Sequence, residues 1–172
     1  GANDTGIYLL NATANVIQGN YIGVNAVGTA ALGNTNNGIA IYGASANLIG
    51  GNVPGARNVI AGNAGSGMNL NTAGATGNVI QGNYIGVNAT GNSAISNRAD
   101  GITLNDAPAN LIGGTNSGAG NLISGNGQSG IFLNGAGSRS NLIAGNLIGP
   151  DASGANALGN KFAGVTLANA TD

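Results

Sequence analysis

The sequence predicts an all-β fold of stacked coils, a parallel β-helix of about five turns. Three observations predict it: a 63-residue internal repeat, a two-residue alternation that opens each half-repeat, and Gly and Asn punctuating short aliphatic segments. The segment Asn15-Val-Ile-Gln-Gly-Asn-Tyr-Ile-Gly-Val-Asn25 returns unchanged from Asn78 to Asn88 and, drifted, from Asn141 to Asp151, by the same shift each time. Asn47-Leu-Ile-Gly-Gly returns at Asn110, and Asn58-Val-Ile-Ala-Gly-Asn63 at Asn121, again by that shift. A fixed period of this kind marks a solenoid whose units bury their apolar faces against one another.

Each repeat divides into two coils. Their openings are Gly6-Ile-Tyr-Leu, Gly38-Ile-Ala-Ile, Gly67-Met-Asn-Leu, Gly101-Ile-Thr-Leu, Gly130-Ile-Phe-Leu and Gly164-Val-Thr-Leu, at steps of 32, 29, 34, 29 and 34 residues. The coils are thus 29–34 residues long, in one domain over residues 1–172. Aliphatic positions flank a variable one (Tyr8, Ala40, Asn69, Thr103, Phe132, Thr166), so each opening reads as a strand with one face inside and the variable column in solvent. Nine or eleven residues after the first five Gly comes an Asn and then an aliphatic pair, at Asn15, Asn47, Asn78, Asn110 and Asn141. Stacking at about 4.8 Å gives each short strand two partners. Gly and Asn at the corners are expected to take positive φ, and stacked Asn to bond from coil to coil.

Composition excludes other classes. The chain has 34 Gly and 30 Asn in 172 residues, with 5% charged and 42% hydrophobic residues. That aliphatic share is too high for a disordered segment, and Gly lacks the every-third-residue period of collagen. A net charge of −1, with Arg57, Arg98, Arg139 and Lys161 scattered, offers no footprint for nucleic acid. No apolar run approaches the roughly 20 residues of a membrane span, so no membrane insertion is expected. Without Cys there is no disulfide framework and no thiolate metal site.

The Gly-Ile-x-Leu and Asn-x-Ile-x-Gly-Asn pattern, from Gly6 to about Leu167, resembles the right-handed parallel β-helix repeats of the pectin-lyase-like superfamily. More narrowly it is similar to Asn/Gly-rich repeat tracts of very large secreted bacterial surface proteins. That resemblance implies a right-handed, single-stranded coil and an extracellular or cell-surface setting. Enzymes of the superfamily carry charged clefts on the helix exterior, and here this sequence departs from them.

No catalytic, cofactor-binding or metal site is expected. There is no Glu, His or Cys, and the Asp residues are Asp4, Asp100, Asp106, Asp151 and Asp172, at spacings of 96, 6, 45 and 21. Side chains on neighbouring coils meet when one coil length, 29–34 residues, separates them, and none of these spacings fits. A glycosidase needs two carboxyl groups about 5–9.5 Å apart. Asp100 aligns with Asn37, and Asp151 with Asn25 and Asn88, so both read as drift on a solvated face. Gly50-Gly51 and Gly113-Gly114 lack the Lys and helix of a phosphate loop. Arg98 and Lys161 are repeat equivalents and read as solvated turn residues. Tyr21 and Tyr84, with Leu147 as third equivalent, read as packing or a half-exposed patch; a sugar-stacking role is the rarer alternative. Thr103 and Thr166 are too few for an ice-binding array, and the Asn-x-Thr sequons at Asn3, Asn11, Asn88 and Asn169 are near chance in so Asn-rich a chain.

No cap is visible at either end, so the expectation is a longer native solenoid or units that stack end to end, with the first and last strands equivalent. The function expected is structural: an extracellular surface stalk or a filament formed by self-association of coil ends. The alternatives are a glycan-binding or adhesion module using the exterior loops at 26–37 and 89–100, which look like spacers, or a non-catalytic part of a polysaccharide-active enzyme.

Overall fold

In the computed structural model, which describes residues 1–170, each coil carries three strands that build three parallel sheets. The first coil holds β1 (Ile7–Leu10), β2 (Val16–Ile17) and β3 (Tyr21–Ile22); the second holds β4 (Ile39–Tyr42), β5 (Leu48–Gly50) and β6 (Val59–Ile60). The third holds β7 (Met68–Asn71), β8 (Val79–Gln81) and β9 (Tyr84–Ile85); the fourth holds β10 (Ile102–Asn105), β11 (Leu111–Gly113) and β12 (Leu122–Ile123). The fifth holds β13 (Ile131–Asn134), β14 (Leu142–Ala144) and β15 (Leu147–Ile148), and β16 (Val165–Ala168) opens a sixth. Sheet A runs β1-β4-β7-β10-β13-β16, sheet B β2-β5-β8-β11-β14 and sheet C β3-β6-β9-β12-β15. Every pairing is parallel and in repeat register, as in Ile39↔Met68, Ile112↔Ile143 and Ile60↔Ile85.

The alternation places the aliphatic residues inside. Ile39, Met68, Ile102 and Ile131 form one interior column of sheet A, and Ile41, Leu70, Leu104 and Leu133 the next. Ile49, Ile80 and Ile112 line sheet B, and Ile60, Ile85 and Ile123 line sheet C, all fully buried. The variable column is not uniformly in solvent. Tyr8 is exposed, but Ala40 and Thr103 are buried between larger neighbours, and Oδ1 of Asn69 is buried without a hydrogen-bond partner. Small residues in a column of larger ones lie too low to reach water, which the alternation alone does not reveal.

Half of the 30 Asn form three ladders along the solenoid. The first is Asn15, Asn47, Asn78, Asn110, Asn141; the second Asn20, Asn58, Asn83, Asn121, Asn146; the third Asn34, Asn63, Asn97, Asn126, Asn160. In each step Nδ2 donates to Oδ1 of the next coil, as from Asn47 to Asn78 at 2.9 Å. The second Nδ2 hydrogen turns inward to a backbone carbonyl, as from Asn121 to Ile80 at 2.8 Å. Buried amides and otherwise orphaned carbonyls are thereby satisfied together. Asn is thus needed for its side-chain chemistry more than for its backbone freedom. Of eight non-Gly residues with positive φ among those described, only Asn11 and Asn169 are Asn; the corner before the first ladder uses Ala14, Ala46, Gly77, Ala109 and Ser140, at φ 55–65°.

The Gly that opens each strand has a different cause. A Cβ on Gly67 would lie 2.6 Å from the Gly101 carbonyl oxygen and 2.8 Å from Ile85 Cγ2, and Gly38 and Gly101 are equally crowded. The coils approach too closely there for any side chain.

Two kinds of insertion alternate along the stack. Coils one, three and five pass from sheet C to the next sheet A strand through long segments, 23–38, 86–101 and 149–164. Coils two and four make the same passage through less than half that length, 61–67 and 124–130. Coils two and four instead lengthen the passage from sheet B to sheet C, at 51–58 and 114–121, where the other coils need only two or three residues. The long segments fold over sheet C as small hairpins, bridged at Val24↔Ala31, Val87↔Ala94 and Pro150↔Ala157. They touch across the intervening coil: the Ala89 N–H donates to Gly28 O and the Ala152 N–H to Gly91 O, both at 2.9 Å. The segments expected to be spacers therefore pack, covering Val59 and Tyr84 with Ala89 and Ile95 in a small second core. Each hairpin occupies the height of two coils, which explains the doubled period.

Candidate functional site

Three of the carboxylates, those of Asp100, Asp106 and Asp151, accept backbone N–H groups. Asp151 Oδ1 accepts the backbone N–H of Ser153 at 3.1 Å and of Ala155 and Asn156 at 3.3 Å, and Oδ2 accepts Nδ2 of Asn156 at 2.7 Å. Asn25 and Asn88 accept the same turn of their own hairpins, from Thr29 N–H at 2.8 Å and Asn92 N–H at 3.0 Å. Aspartate and asparagine share the accepting oxygen, so the hairpin tolerates either. The hydrogen bonds from Asn156 and Ser153 hold the Asp151 carboxyl well below the usual carboxylate range.

Asp100 is also buried, not solvated. Its Oδ1 accepts the Ser129 N–H at 2.8 Å, as Oδ1 of Asn37 accepts the Ser66 N–H at 2.9 Å, and its Oδ2 accepts the Thr103 hydroxyl at 3.2 Å. Burial outweighs these bonds and pushes the Asp100 carboxyl above its ordinary value. Asp106 sits at φ 48° and accepts the Gly137 N–H at 2.9 Å, while exposed Asp4 accepts Asn36 Nδ2 at 3.0 Å. Asp172 lies outside the described residues. Drift on a solvated face is therefore the wrong account of Asp100 and Asp151. The signal that could have found them is that each replaces an Asn whose oxygen caps an equivalent loop.

Among the described residues no group of three or more Asp, Glu, His or Cys comes together to hold a metal. No helix there is long and apolar enough to cross a membrane.

Grooves open on the first coil, where one of about 470 Å³ lies beside Gly6, Tyr21 and Leu32, and at two places further along the stack. The larger of these two, about 540 Å³, runs across the last three sheet A coils beside Asp100, Gln128, Phe132, Lys161, Phe162 and Thr166. Its polar wall is tied together by Ser129 and Thr166, whose hydroxyls lie 2.8 Å apart, and Phe162 is 77% exposed. The smaller, about 360 Å³, opens over sheet C beside Arg57, Tyr84, Thr115, Asn116, Leu122 and Leu147. Tyr21 and Leu147, the repeat equivalents of Tyr84, are more exposed than Tyr84. The Arg57 guanidinium carbon lies 3.9 Å from the centre of the Tyr84 ring. Arg98 and Lys161 remain exposed turn residues.

No protein-family model, curated protein or solved structure matches the chain.

Proposed function

We propose that the chain is a rod segment of an extracellular structural protein, either part of a surface stalk or a unit of a filament built by stacking coil ends. The observation that carries this reading is the continuity of the three Asn ladders and the aliphatic core through every coil. Bonds that repeat along one axis resist bending and unzipping along that axis. The carboxylates of Asp100, Asp106 and Asp151 are occupied as backbone acceptors, which suits a load-bearing part better than a reactive one. The sequence pattern favours a lineage among right-handed β-helix repeats of large secreted bacterial surface proteins.

Electron microscopy of the native material tests the reading: long rods with an axial spacing of about 4.8 Å support it, and compact particles one unit long overturn it.

The aromatic groove at Phe132 and Phe162 favours a second reading, adhesion to a glycan through the exterior. Retention on a glycan array, lost on Phe162→Ala, is its test.

A further inference from the structure

We infer that Arg57 is the receptor for the carboxylate of a small hydroxylated acid bound in the sheet C groove beside Tyr84. The inference does not depend on whether the rods stand singly or stack.

The side chain is positioned from three directions. A short 3₁₀ turn, Pro54–Ala56, ends at Arg57, whose backbone is extended at φ −61° and ψ 127°, with Ala56 buried as its anchor. The guanidinium lies over the Tyr84 ring, and its Nε–H donates to the Gly82 carbonyl at 3.3 Å. One edge and one face are thus engaged. Among the described residues the Nη groups donate to no protein acceptor and Arg57 forms no ion pair. A guanidinium held flat, with two parallel N–H groups still free, is the fork that receives a carboxylate through two bonds.

Charge and burial single this residue out. Arg98, Arg139 and Lys161 are exposed, whereas Arg57 is half-buried. A partly desolvated cation gains most from an opposite charge. The groove of about 360 Å³ falls in the range of small-molecule sites, roughly 300–1,000 Å³. Thr115 and Asn116 place a hydroxyl and an amide on its wall, suited to ligand hydroxyls, and Leu122 and Leu147 give it an apolar floor. The pair does not belong to the repeat: one repeat further on, Gly120 stands in place of Arg57 and Leu147 in place of Tyr84.

The test is titration of the whole chain by NMR with glucuronate, against glucose and inorganic sulfate as controls. Glucuronate is expected to shift Tyr84, Thr115 and Leu147 resonances, with glucose at least about tenfold weaker, in line with loss of a charge-assisted pair. Arg57→Leu is expected to abolish the response and Arg57→Lys to weaken it. Should Arg57→Leu not fold, protection of Arg57 from phenylglyoxal by glucuronate in the unaltered chain replaces it. Absence of any glucuronate response, an equal response in Arg57→Leu, no protection, or sulfate binding as tightly as glucuronate would each overturn the inference.

Discussion

Asn83 and Asn121, one coil apart, share a single oxygen. Both the Nδ2 and the backbone N–H of Asn83 donate to Oδ1 of Asn121, each at 3.0 Å. Asn83 also donates to the Ile49 carbonyl at 2.9 Å, and its own Oδ1 accepts from Asn58 Nδ2 at 2.9 Å.

Asn83→Asp removes the Nδ2 donors, keeps the backbone N–H, and buries a charge among carbonyl oxygens. The expected loss is about 3–5 kcal/mol, measured by urea denaturation. Exposed Asn92, whose Oδ1 accepts from Asn88 Nδ2 at 2.8 Å, tests the contrast. Asn92→Asp keeps an acceptor there and is expected within about 0.5 kcal/mol of the parent.

Ile80 is fully buried, and Ile80→Asp is expected to cost several kcal/mol, about the burial of an unpaired charge. The outward column behaves differently. Asn69→Thr removes the orphaned Oδ1 and matches the neighbouring Thr103. It is expected to stabilise by about 1 kcal/mol, visible as a rise in melting temperature. Asn69→Asp, which the exterior assignment alone would make silent, places charge on an oxygen without a donor and is expected to destabilise.

Gly67→Ala forces a methyl onto the Gly101 carbonyl and is expected to cost about 2 kcal/mol or more. A Cβ on Gly55 meets nothing within 4 Å, so Gly55→Ala is expected to be neutral or slightly stabilising. Similar melting temperatures for the two variants would contradict the close-approach account.

The buried Asp residues give stability two opposing pH limbs. Asp100 has a folded value above its ordinary 3.8, so the folded state keeps the proton to higher pH, and stability declines as pH rises from about 4 through the folded value. Asp100→Asn, which restores the arrangement of Asn37 and Ser66, is expected to remove that decline and to be more stable at pH 7. Asp151 has a lowered value, so its contribution is present above the ordinary 3.8 and lost as pH falls below it. Asp151→Asn is expected to flatten the acid limb while keeping the hairpin. Melting curves from pH 2 to pH 8 distinguish the two.

The strands of sheet A and their register are legible in the sequence because Gly-Ile-x-Leu marks both period and phase. Sheet C is not separately legible: Tyr21–Ile22 and its equivalents are two residues long, too short to show an alternation. The Asn ladders follow from the repeat, but the preference of Asn for positive φ claims too much, since a stacked amide makes bonds that Ala14 or Ser140 at a neighbouring corner does not need. The burial of Ala40 and Thr103 depends on the size of neighbours one coil away, which no local window contains. The Arg57–Tyr84 pair joins an inserted turn to a strand of the following coil, at a spacing the repeat does not use.

The hairpin contacts from Gly28 to Ala89 and from Gly91 to Ala152 also bear on how such a chain can change length. Gene duplication or deletion of one whole repeat preserves the alternation of the two kinds of insertion and can extend or shorten the molecule without repacking. An event that adds or removes a single coil sets like beside like: two hairpins would compete for the same height above sheet C, or a gap would uncover Tyr84. The heritable unit of growth is therefore the pair of coils, and lengths that differ by an odd number of coils should be selected against.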